Sequence, residues 1–289
     1  MERLLLLGAT GRVGGATLAQ LRSVDERCQI RVLSRQPGQI GMAESIEVVT
    51  GAMTNRATLD TALDNITSLL LVSADHPAMA EHEIVVVRAA AEHGGIRVVK
   101  ISAITAGLAP RRAFGIAHGA VEDSLRASGL PFVILRPTFF FQSLALFADP
   151  IKKGFLPAAT GQGAIGFVDM NDVASAAARA LLDNQWDGNT YTLTGPESLS
   201  MAEVASAISA MTSKRVRHVR PPAVIMKALL RLAAGLDPWL AGQVVDLMRC
   251  CAEGAEDLVT DDVQTLTGVK PTAFAEYLSA NAGLFGDEI

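Results

Sequence analysis

The stretch Gly8-Ala9-Thr10-Gly11-Arg12-Val13-Gly14 is the most informative part of the sequence. It follows the apolar run Leu4–Leu7, which is too short for a secretory signal and is typical of a buried first strand. A helix is predicted next, over Ala16–Ser23. Glycines at GxxGxxG spacing between a strand and a helix permit a tight turn and a close approach of backbone N–H groups to a pyrophosphate. The stretch therefore predicts a dinucleotide-binding loop, with an ordinary turn as the alternative.

Short apolar runs alternate with helical patterns through the first half of the chain. Strands are predicted over Leu4–Leu7, Gln29–Ser34, Ile46–Thr50, Ser68–Ser73, Ile96–Ser102 and Phe132–Arg136, and helices over Ala16–Ser23, Arg56–Leu63, Ala78–His93 and Gly115–Ser128. Parallel strands need such crossover helices. The predicted fold is α/β: a Rossmann-type doubly wound parallel sheet with a smaller C-terminal α/β lobe.

We expect two domains. Residues 1–150 are predicted to form an NAD(P)-binding Rossmann domain and residues 151–289 mainly a substrate-binding lobe, with 164–195 returning to the Rossmann domain. Further elements are predicted as a glycine-rich loop over Gly154–Gly166, a helix over Asp169–Leu182, a strand over Asn189–Leu193, a helix capped by Ser200 with Glu203, and helices around Pro221–Leu236 and Pro271–Leu284.

Composition limits the partners. The chain has 289 residues, of which 49% are hydrophobic and 19% charged, and its net charge is -5. We therefore expect a globular, cytoplasmic protein with a small-molecule substrate and with no nucleic-acid or membrane partner. Cys28, Cys250 and Cys251 lack the spacing of a zinc site, so no metal is predicted. A homodimer and a regulatory protein partner both stay open.

Two basic segments need interpretation. Arg215–Arg220 alternates basic and other residues, which favours an exposed edge strand over a nucleic-acid stripe. Lys227 and Arg231 share one face of an apolar helix, which favours a solvated face over a membrane anchor.

The end of the second predicted strand indicates the choice of cofactor. NAD-selective sites place a carboxylate there, whereas this chain has Ser34 and Arg35. Arg35 and Arg12 could bind an adenosine 2′-phosphate, which predicts NADPH as cofactor with NADH still possible; surface charges are the alternative. The candidate cofactor-binding residues are Gly8, Thr10, Gly11, Arg12, Val13, Gly14, Ser34, Arg35 and Ser73.

Several further motifs occur in a consistent order over about two thirds of the chain. With the glycine loop, they are Val99-Lys100-Ile101-Ser102-Ala103, His118-Gly119-Ala120-Val121-Glu122, Ser128-Gly129-Leu130-Pro131 through Pro137, Phe167-Val168-Asp169-Met170-Asn171-Asp172-Val173-Ala174 and Tyr191-Thr192-Leu193-Thr194-Gly195-Pro196. In these the chain resembles the NmrA-like group of atypical short-chain dehydrogenases/reductases, which includes triphenylmethane reductase and a bacterial NADPH:quinone oxidoreductase.

The resemblance implies an altered catalytic site. Typical superfamily members use a YxxxK pair, and alignment through Glu122 puts Phe114 in place of the tyrosine and His118 in place of the lysine. Phe114 cannot transfer a proton, so ordinary alcohol dehydrogenase or epimerase chemistry loses its acid. His118 could bind the nicotinamide ribose, position substrate or donate a proton near neutral pH, or be a satisfied helix histidine. Ser102, which ends the fifth strand, is the second catalytic candidate, with a turn or cap role as its alternative.

Aromatic residues follow the sixth strand, where the nicotinamide should lie. Phe139, Phe140, Phe141 and Gln142, together with Phe114 and Phe155, are candidate substrate-binding residues, with core packing as the alternative. We predict an NADPH-dependent reductase of a hydrophobic, electron-poor small molecule such as a quinone or conjugated carbonyl. An NAD(P)-binding redox-sensing regulator without catalysis, and a biosynthetic reductase of an imine or enone, are the alternatives.

Overall fold

A computed structural model describes residues 2–24, 28–40 and 46–286. Its strands are β1 (Arg3–Leu7), β2 (Gln29–Ser34), β3 (Ile46–Thr50), β4 (Ser68–Leu71), β5 (Arg97–Ile101), β6 (Phe132–Pro137), β7 (Phe155–Pro157), β8 (Ala164–Ile165), β9 (Asn189–Leu193), β10 (Leu199–Ser200) and β11 (Arg217–Val219). Seven of them form one parallel sheet in the order β3-β2-β1-β4-β5-β6-β9. The predicted Rossmann-type α/β fold is confirmed.

Helices connect and cover these strands. They are α1 (Arg12–Val24), α2 (Arg56–Leu63), α3 (Met79–His93), α4 (Gly115–Ala127), α5 (Ala148–Lys152), α6 (Met170–Leu182), α7 (Met201–Thr212), α8 (Ala223–Leu232), α9 (Pro238–Ala252), α10 (Asp262–Thr267), α11 (Phe274–Ala280) and α12 (Ala282–Phe285). The capping box predicted for Ser200 and Glu203 is present at the start of α7.

Strand β1 shows how the sheet is sandwiched between two apolar layers. Successive side chains of a strand point to opposite faces, so Leu4 and Leu6 pack with α1 and α6, whereas Leu5 and Leu7 pack with α2, α3 and α4. All four leucines are fully buried, as expected for a central parallel strand covered on both faces. The two layers hold the carboxyl ends of the strands in fixed positions.

Strand β9 and helix α6 lie far along the sequence yet belong to this sheet region. Strand β9 pairs with β6, and α6 packs beside α1. Buried Arg97 of β5 donates to the carbonyls of Ala180 and Leu181 at 2.5 and 3.1 Å, near the last turn of α6. These bonds satisfy carbonyls that the helix end leaves without intrahelical partners.

The remaining C-terminal segments surround a separate apolar core, which includes Phe141, Phe167, Met226 and Phe285. The segment predicted as a glycine-rich loop contains the short strands β7 and β8, because each finds a partner strand far along the chain. The basic alternation does form an edge strand, β11, whose single partner among the described strands is β7. That prediction is confirmed.

Helix α9 was not predicted from the pattern. Its start carries a clear signal, since the Asp237 side chain accepts hydrogen bonds from the backbone N–H groups of Trp239 and Leu240, and Pro238 occupies the first helical position. Cys250 and Cys251 are buried near its end and form no disulfide. Within the described ranges, no helix combines the length and apolar character needed to cross a bilayer.

Candidate functional site

The glycine loop joins β1 to α1 and has room for no side chain at two of its glycines. Gly8 has φ +68°, and a Cβ there would lie 2.5 Å from the Val72 carbonyl oxygen beyond β4. At Gly14 a Cβ would lie 2.3 Å from the Gly8 carbonyl oxygen. The Gly11 N–H closes the turn onto the Gly8 carbonyl at 2.8 Å. The glycine motif thus forms a tight turn in which neighbouring backbone atoms occupy the space that side chains would need.

This loop lies at the point where the sheet order changes direction. From β1 the chain adds β2 and β3 on one side of the sheet, then returns past β1 to add β4, β5 and β6 on the other side. Ligands of open α/β sheets bind at such a point, beyond the carboxyl ends of the strands. Gly11 and Arg12 are exposed where α1 begins, and a helix N-terminus presents unsatisfied N–H groups to an anion. The loop therefore fits the pyrophosphate of a dinucleotide.

Ser34 and Arg35, which are predicted to contact the adenosine end of the cofactor, have different surroundings. Ser34 is buried, and its hydroxyl accepts a hydrogen bond from the Gln36 N–H at 3.0 Å, whereas Arg35 is exposed. Burial raises the pKa of Tyr277 in α11 to about 12, although the positive charge of Arg12 acts to lower it. Arg35 and Arg12 both stay candidates for a 2′-phosphate, since both side chains are exposed.

Ser73, another predicted cofactor residue, belongs to a buried charge network. Its hydroxyl donates to Glu83 Oε1 at 2.8 Å, and the other oxygen of Glu83 lies 2.6 Å from Lys100 Nζ. Lys100 also donates to the Ile101 carbonyl at 2.5 Å, and the side chains of Lys100 and Glu83 have no exposed surface. This ion pair was not among the predicted site residues. Lys100 within the apolar run of β5 could have indicated the pair from the sequence, because a buried lysine needs a partner of opposite charge.

His118 lies on α4, near the Lys100 charge. Its Nδ1 is buried and has no hydrogen-bond partner among the described residues. Burial, reinforced by the positive charge of Lys100, holds the pKa of His118 well below its usual value. The imidazole is therefore neutral at physiological pH. In this state the ring can donate or accept a hydrogen bond, and its catalytic role stays a prediction.

Ser102, the second predicted catalytic residue, is anchored by Glu122. Its hydroxyl donates to Glu122 Oε1 at 2.6 Å, and Arg136 binds both oxygens of that carboxylate at 2.9 and 2.5 Å. Burial acts to raise the pKa of Glu122, but the bonds from Arg136 and Ser102 outweigh it and keep the pKa low. The Ser102 proton is thus committed to a carboxylate, while the oxygen can still accept a hydrogen bond.

Phe114 precedes α4 and contacts the C-terminal lobe. Its half-buried ring meets Trp239 of α9 edge to face, with centroids 6.5 Å apart. Two residues earlier, Arg112 forms an ion pair with Glu253 at the end of the same helix. Both ends of α9 therefore hold the segment that carries Phe114. Trp239 is an aromatic neighbour of Phe114 that was not among the predicted site residues.

The other predicted substrate residues separate into distinct places. Phe139 and Phe141 are buried and pack against Phe167, so their rings belong to the C-terminal core. Gln142 holds the start of α6: its Nε2 donates to Asp169 and its Oε1 accepts from the Met170 N–H. The two remaining aromatics lie elsewhere: Phe140 is half-buried and packs, as Val13 does, against the buried layer between the sheet and α1 and α6, and Phe155 is half-exposed on β7 opposite Arg217.

Comparison with known proteins identifies the family. The model of a family described as NAD(P)H-binding matches residues 8–184, more than half of the chain. The chain belongs to this family. It is 30% identical to the oxidoreductase YesF of Bacillus subtilis strain 168, over 96% of this chain and 95% of that protein. It is also 27% identical to an NAD(P)H azoreductase of Xenophilus azovorans, over 98% of this chain and 99% of the relative. The chain is an NAD(P)H-dependent oxidoreductase.

Solved structures support the same fold. An NADPH-dependent quinone oxidoreductase of Escherichia coli, in complex with NADPH, superposes with a TM-score of 0.89 at 24% identity, covering 96% of this chain and 99% of the other. The triphenylmethane reductase of Citrobacter sp. with NADP(H) gives a TM-score of 0.86 at 22% identity, covering 96% and 99%. The predicted resemblance to these two kinds of reductase is confirmed, and at these identities the structural match establishes the fold.

Proposed function

We propose that this oxidoreductase uses NADPH to reduce a hydrophobic, electron-poor small molecule such as a quinone or a conjugated carbonyl. The feature that carries the proposal is that Phe114 and a buried His118 of lowered pKa stand where the resemblance implies a proton-donating tyrosine and its lysine, in a chain that keeps the dinucleotide loop. Such a site suits an acceptor that takes a hydride readily and does not need a strong acid from the protein.

The chain provides a cradle for the cofactor. The glycine loop and the first turn of α1, including Thr10, Gly11 and Val13, would hold the pyrophosphate, and exposed Arg35 would bind the 2′-phosphate that distinguishes NADPH from NADH. Bound NADPH supplies the hydride. Ser34 and Ser73 act indirectly in this proposal, because their hydroxyls already bond Gln36 and Glu83.

The acceptor would lie against Phe114. This half-buried ring is supported by Trp239, and Phe140 offers a second half-buried ring after β6. Flat aromatic surfaces bind conjugated rings by stacking. We therefore expect affinity to rise with the apolar area of the acceptor, at roughly 25 cal/mol for each Å² removed from water.

The residues proposed to line the acceptor site include no strong acid, so the source of the proton has to be explained. Hydride addition to a quinone leaves a negative oxygen, and one proton completes the hydroquinone. The neutral imidazole of His118 and the Ser102 oxygen are hydrogen-bonding groups that can orient the acceptor, while water can deliver the proton. A simple ketone, whose reduced oxygen is far more basic, is expected to be a poor substrate.

The proposal is tested by measuring NADPH oxidation against a panel of quinones, azo dyes, conjugated carbonyls and simple ketones. We expect saturable turnover of the conjugated acceptors, little turnover of the ketones, and no turnover by Gly14→Val. Product analysis would distinguish quinone reduction from imine or enone reduction. Tight NADPH binding without turnover of any acceptor would contradict the proposal and support the alternative of a redox-sensing regulator.

A further inference from the structure

Helix α8 exposes aliphatic side chains on its outer face. Met226 and Leu230 point into the C-terminal core, whereas Val224 is 82% and Leu232 88% exposed. At about 100° per residue, Val224, Ala228 and Leu232 form a stripe opposite the buried side, and Lys227 and Arg231 flank that stripe. Ile225 and Leu229 are exposed on the other flank. This helix is therefore apolar on the side where a surface helix is normally polar.

The segment around this helix is strongly basic. No acidic residue occurs between Glu203 and Asp237, although the whole chain carries a net charge of -5. The basic residues of the segment are all exposed: Lys214, Arg215, Arg217, Arg220, Lys227 and Arg231. Pairing of β11 with β7 sets Arg217 opposite Phe155, which follows the exposed Lys152 and Lys153. We call these basic residues, with the exposed aliphatic residues of α8, the α8 surface.

We propose that the α8 surface binds an anionic lipid bilayer, with α8 lying in the plane of the lipid headgroups. Its aliphatic stripe would enter the boundary between headgroups and acyl chains, and Arg231 with the arginines of the preceding segment would contact lipid phosphates. The sequence favoured a solvated face for Lys227 and Arg231. The structure adds the neighbouring stripe of Val224 and Leu232, which water solvates poorly.

Charge and chemistry favour lipid over other partners. A two-fold contact with a second copy would bring the same basic residues face to face, which costs electrostatic energy. Binding of single-stranded nucleic acid relies on successive aromatic rings that stack on bases, whereas α8 exposes aliphatic side chains and Phe155 is a single exposed ring near Arg217. An anionic bilayer supplies negative charge and an apolar layer together.

The α8 surface is connected to the proposed substrate site. Helix α8 packs on α9, and Trp239 in the first turn of α9 contacts Phe114. Bilayer binding does not depend on the proposed reaction, but it would bring a lipid-dissolved acceptor near these two rings.

Flotation of the full-length protein with lipid vesicles tests the proposal. We expect the protein to float with phosphatidylglycerol vesicles at low salt, to be released by high salt, and to remain unbound with phosphatidylcholine vesicles. The double variant Val224→Ser/Leu232→Ser should bind about tenfold more weakly, because it loses the apolar area that enters the lipid. Arg217→Gln/Arg220→Gln should lose about fivefold for each charge removed.

Two controls separate this surface from general effects. Val269→Ser removes another exposed aliphatic side chain and Arg22→Gln another exposed charge, and neither should alter flotation. All variants should oxidise NADPH normally with a water-soluble quinone, so failure of lipid binding leaves the proposed reaction intact. Absence of flotation with phosphatidylglycerol would overturn the proposal. So would a dimer, seen by analytical ultracentrifugation, or an oligonucleotide complex that the double serine variant abolishes.

Discussion

The sheet region and the C-terminal lobe bury their carboxylates in different ways. In the sheet region, fully buried Glu83 and Glu122 pair with Lys100 and Arg136. In the lobe, Glu256 is buried without a cationic partner among the described residues, and it accepts a hydrogen bond from the Phe139 N–H at 2.7 Å. Burial raises the pKa of Glu256 to about 7. Glu83 and Glu122 thus have cationic partners that Glu256 lacks within the described residues, and Glu256 titrates near neutral pH.

The largest expected effect lies in the sheet region, at the glycine loop. Gly14→Val places side-chain atoms where the Gly8 carbonyl lies, and should reduce kcat/KM for NADPH oxidation by at least about 100-fold through misplacement of the cofactor. Steady-state kinetics and thermal unfolding measure the change. Gly283→Ala is the control, since open space surrounds Gly283. Normal NADPH affinity in a folded Gly14→Val protein would contradict the role of the loop.

The buried ion pair between Glu83 and Lys100 should give the next largest effect, on the free energy of unfolding. Glu83→Gln leaves the Lys100 charge without its carboxylate and should lower the free energy of unfolding by roughly 3–5 kcal/mol. Glu92→Gln, on the same helix, removes an exposed partner of Arg56 and should cost about 1 kcal/mol or less. Denaturant titration of both variants gives the comparison. Equal losses would show that burial does not distinguish the two pairs.

Glu256 should make the stability of the lobe depend on pH. Because the folded pKa lies near 7 and the usual value is 4.5, the unfolded chain ionises first as pH rises. The stabilising contribution is complete below pH 4.5 and is lost as pH rises through 7, with a total on the order of 3 kcal/mol. Glu256→Gln should remove this loss and stabilise the protein at alkaline pH.

Denaturant titration at several pH values measures the Glu256 effect. Glu253→Gln is the matched control, because Glu253 is exposed at the end of α9 and the bond from Arg112 keeps its pKa low. We expect Glu253→Gln to lose stability between pH 4.5 and 7 as the unchanged protein does. An unchanged pH profile in Glu256→Gln would show that Glu256 does not titrate in this range.

The smallest effect concerns the choice of cofactor. Arg35→Ala should raise KM for NADPH about tenfold, through loss of a charge-assisted bond, and leave KM for NADH nearly unchanged. Arg22→Ala, at the far end of α1, should change neither constant. If both KM values rose together in Arg35→Ala, the arginine would contact a part common to the two cofactors.

The sequence predicted the sheet region well because its signals are local. Leu4–Leu7 and the glycine loop each specify an element within a few residues. In the lobe, the capping pair Ser200 and Glu203 is a local signal of the same kind. The placement of Phe139 and Phe141 depends on Phe274 and Tyr277, more than 130 positions later, and could not be inferred from periodicity.

Contacts between distant residues also explain which features of the candidate site were not predicted from the sequence. Ser73 and Ser102 were identified by their positions after strands, but their carboxylate partners Glu83 and Glu122 depend on how the helices lie over the sheet. Trp239 was missed because α9 is adjacent to Phe114 only in the folded chain. Composition and spacing do not report such pairings.

Single-turnover reduction of a quinone without oxygen tests the central claim most directly. The enzyme is loaded with NADPH that carries deuterium at the transferred nicotinamide position and is mixed with excess quinone. We expect one hydroquinone for each NADPH consumed, slower hydride transfer than with unlabelled NADPH, and no reaction in Gly14→Val. Stable, tightly bound NADPH that never reacts with any quinone would contradict the assignment of this site as a reductase.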